Sequence, residues 1–478
     1  MAVKNKVGAE APTGETKTES NELIKTALIT NIFKILCLIS LVVLLSGGAA
    51  GYETYNVTEI WKWKSDESNS ATYTLEVADM DGDGIDEIIA GSVDKKLRIF
   101  KNTGDNNYTV IWDSGINNLT VVDIAIADMY GDGKKDMVIA ALSHDSDVVY
   151  SIYLFKNNGK NNYTRFWDSG SFFKDFVENV AIGDTDGDGK NEIVAGCYDN
   201  RTYIFKKVDN NYALVWNSTS LGTNVFVAVG DFNGDGKDEI SAIGDNIYIF
   251  ENIGNSNYEV AWEGNLTLDR DSYNPMRIHA EDIDGDGKEE IIAYGMDIYG
   301  FKNTARNNYS LIWKTRQGAN HRDLKMADLD GDGKKEIVSG MFRLFIFKSD
   351  REGEYKLLWT DKNKLDIESI SIGDVDGDNR KELIIGTRNG GWGNIYVFGV
   401  ENVTENVENV TENVTNATEN VSVVEPAAPE EKDLIKQIID RELKFYGMPT
   451  LYLIILGVFI LIIRLNYYIS QRRKAKEE

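Results

Sequence analysis

A nine-residue pattern, D-x-D-G-D-G-x-x-E, recurs seven times between residues 55 and 400 and constrains the fold more than any other feature of this chain. Its first aspartates are Asp79, Asp128, Asp184, Asp231, Asp282, Asp328 and Asp374, spaced by 49, 56, 47, 51, 46 and 46 residues. A period of that size with no helical pattern predicts a propeller or a solenoid. Each period has one internal grammar. A short apolar strand such as Leu75–Ala78 enters the acidic loop and a second, such as Glu87–Gly91, leaves it. A third ends in Phe (Leu97–Phe100) and a fourth ends in Trp (Tyr108–Trp112). Four short strands divided by turns make one propeller blade.

The aromatic residues decide between ring and solenoid. The third-strand Phe recurs at Phe155, Phe205, Phe250, Phe301, Phe347 and Phe398, which predicts packing between blades. The fourth-strand Trp follows the first six loops, at Trp112, Trp167, Trp216, Trp262, Trp313 and Trp359, and is missing after the seventh. A spare Trp strand precedes the first loop, as Thr58 to Trp63. The expected fold is therefore an all-β, seven-bladed propeller. In it the strand around Ile60 to Trp63 pairs with the strand around Ile395 to Phe398, completing the last blade and removing an exposed edge. Only Pro275 interrupts the repeats, as a chain whose N–H groups are committed to ladders requires.

The loops are built to hold a hard dication, which takes six to eight oxygens. Positions 1, 3, 5 and 9 offer side chains, position 7 offers a main-chain carbonyl, and the position-6 glycine relieves the tight turn. The candidate ligands are Asp79, Asp81, Asp83, Ile85 and Glu87 in the first loop and Asp128, Asp132, Lys134 and Asp136 in the second. The third offers Asp184, Asp186, Asp188, Lys190 and Glu192, and the fourth Asp231, Asn233, Asp235, Lys237 and Glu239. The fifth offers Asp282, Asp284, Asp286, Lys288 and Glu290. The sixth offers Asp328, Asp330, Asp332, Lys334 and Glu336, and the seventh Asp374, Asp376, Asp378, Arg380 and Glu382. Ligand-rich, irregular loops favour Ca²⁺ over Mg²⁺. Tyr130 stands where the second loop needs its position-3 carboxylate, so that site is expected to be weak or empty. Asn379 takes the glycine position of the seventh loop, which asparagine tolerates because it adopts the left-handed conformation. Six or seven calcium sites are expected.

These loops, followed by strands reading Ile-Val-Ala-Gly, resemble the FG-GAP repeats of integrin α-subunit β-propellers over about residues 55–400. The resemblance implies calcium in hairpin loops on one face and a ligand-binding surface on the other. The chain departs from integrins in lacking their following leg domains and their membrane-proximal cytoplasmic motif, and in having mostly Glu at position 9. It looks more like free-standing microbial surface proteins of the FG-GAP type.

Composition narrows the function. Lys and Arg total 51 against 77 Asp and Glu, a net charge of −26, which excludes the clustered positive charge that nucleic-acid binding needs. Cys37 and Cys197 cannot build a disulfide framework or a zinc site, and His144, His279 and His321 leave little for a histidine-based centre. There is no Ser–His–Asp set, P-loop or dinucleotide fingerprint.

The two ends speak of a membrane. Residues 1–50 are read as a polar N-terminus and a signal peptide or uncleaved signal-anchor, because the apolar run from Ile35 to Leu45 is followed by Ser46 to Ala50. Residues 401–431 are a low-complexity stalk with N-x-S/T sequons at Asn402, Asn409, Asn413, Asn416 and Asn420. Residues 432–444 read as a juxtamembrane amphipathic helix and 445–463 as a transmembrane helix, with a basic tail at 464–478 expected in the cytoplasm. The propeller is then expected outside the cell membrane, in keeping with eight further sequons between Asn56 and Asn308.

A ligand face is expected where the loops vary in length, with Phe172, Phe173, Tyr273 and Trp392 as an aromatic platform and Arg277 and Arg322 beside it. The expected function is adhesion or binding of an extracellular protein or glycan. A polysaccharide-acting enzyme such as a lyase, and a structural or assembly role in the cell envelope, are the alternatives.

Overall fold

The computed structural model describes residues 52–405 apart from 69–70, 93, 117–118, 144–148, 265–276, 316–319, 351–352, 362–363 and 389–391. The expected signal or anchor segment, the stalk beyond residue 405, the amphipathic helix, the membrane span and the basic tail lie outside the described residues. Among the described residues no helix is long and apolar enough to cross a membrane.

The described chain forms seven antiparallel four-stranded sheets. Blade 1 runs Thr72–Ala78, Glu87–Ser92, Lys96–Asn102 and Tyr108–Asp113, and the next five repeat that order along the chain. Burial changes across each sheet for a geometric reason. The second strand lies between neighbouring blades, so Glu192–Cys197 and Glu239–Ile243 are buried at every position and read as continuous apolar runs after their acid. The fourth strand forms the rim, and Tyr108–Asp113 is half exposed. The first strands face a central channel of about 410 Å³.

Blade 7 is composite, as the count of tryptophans predicts. Its order is Ile367–Gly373, Glu382–Thr387, Trp392–Glu405 and then the N-terminal strand Tyr52–Ser68. Trp61 seats against blade 1, 5.0 Å from Tyr108 and 6.0 Å from Phe100 between ring centroids. The same contact joins blades 1 to 6 in turn: Trp112 meets Tyr163, Trp167 meets Tyr212, Trp216 meets Tyr258, Trp262 meets Tyr309 and Trp313 meets Tyr355, all at 4.7 to 5.5 Å. The sequence reading used the tryptophans but missed these tyrosines, although Tyr-x-x-x-Trp is written in each of the six complete repeats.

A bulge interrupts the third and fourth strands of blades 1 to 6, always between the core Phe and the residue before it, as at Ile99/Phe100 and Ile204/Phe205. A bulge bends its strand and raises the local twist. Here it re-aims the residue just after the Phe, and that residue proves important at the loops.

Candidate metal centre

Each acidic loop is wound around its first aspartate. In loop 1 the Asp79 carboxylate accepts the N–H groups of Gly82, Asp83 and Gly84 at 2.7 to 3.1 Å. The turn needs left-handed residues, and Gly82 and Gly84 have φ of 82° and 90°. Asp83 accepts the Ile85 N–H at 3.0 Å, and Glu87 reaches back to accept the Met80 N–H at 2.9 Å. Loops 2, 5, 6 and 7 close in the same way, through Asp136, Glu290, Glu336 and Glu382. Loop 3 does so through Glu192, and loop 4 through Glu239, which takes the Asn233 N–H instead.

In loops 1, 3, 5, 6 and 7 this winding leaves one oxygen of the closing acid for the loop centre, whereas both oxygens of Asp136 accept main-chain N–H groups and both of Glu239 are taken by Asn233. Carboxylate oxygens of Asp79, Asp81 and Glu87 converge within 4.8 Å, as do those of Asp184, Asp186 and Glu192 and of Asp282, Asp284 and Glu290. Asp328, Asp330 and Asp332 form the fourth group and Asp374, Asp376 and Glu382 the fifth. Loops 2 and 4 are not among these groups. Each has lost its position-3 carboxylate, to Tyr130 and to Asn233, whose amide instead donates to Glu239 at 2.6 Å. Tyr130 lies between two cations, with the Lys156 and Lys207 ammonium groups 4.0 and 4.1 Å from its ring centre.

Converging carboxylates are costly to bury, and their protons report it. Burial pushes Glu239 and Glu382 up to about 8, with the negative charges of Asp235 and Asp376 adding to the effect. Burial likewise pushes Glu192, Glu290 and Glu336 up to about 7. The donor set is all hard oxygen, so it fits Ca²⁺ better than a soft metal.

A cation that the sequence reading missed already enters four of the loops. Lys101, directly after Phe100, donates to Asp81, Asp83 and Glu87 at 2.7 Å each, which uses all three ammonium hydrogens. Lys206, after Phe205, pairs with Asp186, with Asp188 at 2.9 Å and with Glu192 at 3.8 Å. Lys302 meets Asp284, Asp286 at 2.8 Å and Glu290 at 3.1 Å, and Lys348 meets Asp330 and, at 3.0 Å, Asp332. Burial opposes the charge on Lys101, Lys206 and Lys302, but their carboxylate partners outweigh it and hold these ammoniums above the usual lysine range. The signal was present as Phe-Lys in five of the seven repeats.

The expected ligand face is only partly described. Tyr273 lies outside the described residues, and Trp392 begins a strand without a described side chain. Phe173 belongs to the core and not to an open platform: it is 5% exposed and packs on Tyr203 and Phe205. Phe172 is exposed and stands edge-on to Phe173 at 4.9 Å. Arg277 lines the central channel with its guanidinium over the Phe226 ring, and Arg322 pairs with the buried Glu368 at 2.8 Å. The channel is polar. Lys325 bridges to Glu76 at 2.6 Å, and burial pushes the Asp123 carboxyl up to about 7.

Comparison with known proteins agrees with this geometry. The family described as FG-GAP-like repeat matches residues 79–139, 128–195, 184–242 and 231–293, four overlapping pairs of loops. Among solved structures, BBS1N in complex with ARL6DN, soaked with mercury, is 13% identical and has a TM-score of 0.50, covering 73% of this chain and 98% of that one. The same complex soaked with lead is 14% identical with a TM-score of 0.47, covering 71% and 96%. At that identity the first likeness speaks for the propeller fold alone. No curated protein matches the chain.

Proposed function

Starting from a chain that carries FG-GAP-like repeats on a seven-bladed β-propeller, we propose a binding module whose acidic face is stabilised by divalent cations. It would be held at a membrane and would present its opposite face to an extracellular protein or glycan. The observation that carries the metal part is the convergence of three carboxylate oxygens within 4.8 Å in five separate loops, with main-chain N–H groups fixing each loop. Calcium would meet side-chain oxygens there and the position-7 carbonyl, and its charge would offset acids that burial otherwise forces to hold protons.

Adhesion is the role this design serves best. Seven blades, with Trp–Tyr contacts at six of their junctions, give a rigid platform for loops of variable length. Much of that variation falls at 144–148, 265–276, 316–319 and 389–391, outside the described residues. The extracytoplasmic location rests on the sequons and the apolar segments of the two ends.

Calorimetry of the full chain with calcium and after chelation tests the metal reading. A bound ion stabilises the folded state by about 2.7 kcal/mol at a hundredfold excess over its dissociation constant. Chelation should lower the melting temperature by several degrees and calcium should restore it. An unchanged melting temperature overturns the reading. A glycan and surface-protein array then tests the ligand class.

A further inference from the structure

The seven loops share a motif but not a cation. In blades 1, 3, 5 and 6 the residue after the core Phe is a lysine whose ammonium stands among the carboxylates that would bind a metal. Lys101 shows the fullest case, with three contacts of 2.7 Å. A divalent ion would need the same oxygens at about 2.3 to 2.6 Å, so ion and ammonium exclude each other by space as well as by charge.

Two blades break the pattern at that one position. In blade 7 it is Gly399, and a cavity of about 240 Å³ opens beside it, lined by Asp376, Asp378, Glu382 and Glu401 and by Arg380, whose guanidinium pairs with Asp378 at 2.6 Å and Glu401 at 3.7 Å, outside the converging set of Asp374, Asp376 and Glu382. In blade 4 it is Glu251, which accepts the Asn307 amide at 3.1 Å, and that loop has lost its position-3 carboxylate to Asn233, so it is not among the converging groups.

We propose that the chain carries two kinds of acidic loop among the five that gather carboxylates: lysine-closed loops in blades 1, 3, 5 and 6, which need no metal, and a metal-taking loop in blade 7. Lys101, Lys206, Lys302 and Lys348 are internal cations that replace the ion in their blades. The ammonium in the four sister loops marks where positive charge belongs, and blade 7 leaves that place to a divalent ion. This rests on the divalent-cation reading above and changes its count from five loops to one.

Titration calorimetry of the full-length chain with calcium chloride separates the outcomes. One ion per chain supports the proposal. Two or more overturns it while leaving the divalent-cation reading intact, and no binding overturns that reading itself. Exchanging the determinant residue tests the cause. Lys101→Met should raise the count by one, because it removes the ammonium and keeps the stem's volume, and Lys206→Met should do the same in blade 3. Gly399→Lys should lower the count by one and make stability less sensitive to chelation. The site admits a side chain, since a β-carbon there would meet only Ile60, at 3.6 Å. If both methionine variants fold, with unchanged circular dichroism, and neither gains an ion, lysine does not decide occupancy and the proposal fails.

Discussion

Blades 1 and 7 touch, carry nearly the same nine residues, and solve two problems differently. Blade 1 is one continuous piece of chain, and its loop is closed by its own Lys101. Blade 7 is assembled from both ends of the propeller, and Gly399 stands at the lysine position. The loops themselves are joined, because the Asp86 N–H of the first donates to the Asp374 carbonyl of the seventh at 3.0 Å. A loop motif therefore sets how the backbone turns and where the carboxylates point. In loop 7 the motif's own Arg380 pairs with Asp378 at 2.6 Å, but what neutralises the other carboxylates, and what holds the blade shut, is settled by residues on other strands.

The largest expected effect comes from attacking the joint that blade 1 does not have. Trp61 belongs to the closing strand and packs across the seam on Phe100 and Tyr108. Trp61→Ala should cost about 3 kcal/mol, the lower end for a core aromatic because Trp61 is only partly buried. Trp262 makes the equivalent contact with Tyr309 inside continuous chain, so its truncation should cost a similar amount. The two variants should differ in where they open. Hydrogen exchange in Trp61→Ala should rise along Trp392–Glu405, which loses its outer neighbour, whereas Trp262→Ala should leave that strand protected. Equal exchange there in both variants would show that the N-terminal strand does not hold the seam.

How far the sequence discloses all this depends on the distance over which each signal acts. Ring closure was legible because a strand missing at one end and spare at the other needs only counting. The loops were legible because every group that winds them lies within nine residues. The lysine was not, since Lys101 sits 14 to 20 residues beyond the loop acids it meets and is aimed by a bulge that leaves no mark in the apolar pattern. The aromatic platform was misjudged in part for a similar reason. Phe172 and Phe173 are adjacent in sequence, yet an isolated bridge between Tyr150 and Phe173 draws the second into the core and leaves the first outside.

Acid pH gives the next effect in size, and its source must be separated from the loops before either blade is compared by titration. His321 is buried ahead of blade 6, with Nδ1 2.9 Å from the Ser339 hydroxyl. Burial pushes its pKa down to about 4, while the nearby Asp297 charge pulls weakly the other way. The unfolded chain protonates this histidine near 6.5 and the folded chain only near 4, so stability is lost as pH falls through that window. The limit is about 3 kcal/mol, reached below both values. The loop glutamates raised to about 7 or 8 gain stability over the same range, so the test is a difference: the urea midpoint of the chain relative to that of His321→Asn should fall from pH 7 to 5, with calcium stoichiometry unchanged. A difference that stays constant over that range would clear His321 of the effect.

The smallest effect concerns the one position where the two loops themselves differ in backbone chemistry. Gly84 in loop 1 has φ of 90°, and its counterpart Asn379 in loop 7 has φ of 65°, with its N–H donated to Asp374 at 2.8 Å. Asparagine reaches this left-handed region at little cost, whereas alanine pays roughly 1 to 2 kcal/mol for crowding its β-carbon. A β-carbon at Gly84 would meet nothing within 4 Å, so any penalty there is torsional and not steric against neighbours. Asn379→Gly and Gly84→Asn should therefore each shift stability by less than about 0.5 kcal/mol, and Gly84→Ala and Asn379→Ala should each cost about 1 kcal/mol. Making the two loops alike at this position should leave the calcium count unchanged, because the cation is chosen by Lys101 and Gly399 and not by the turn. If Gly84→Asn alone let loop 1 take up an ion, the turn would outrank the lysine, and the contrast between the two blades would have to be drawn inside the motif after all.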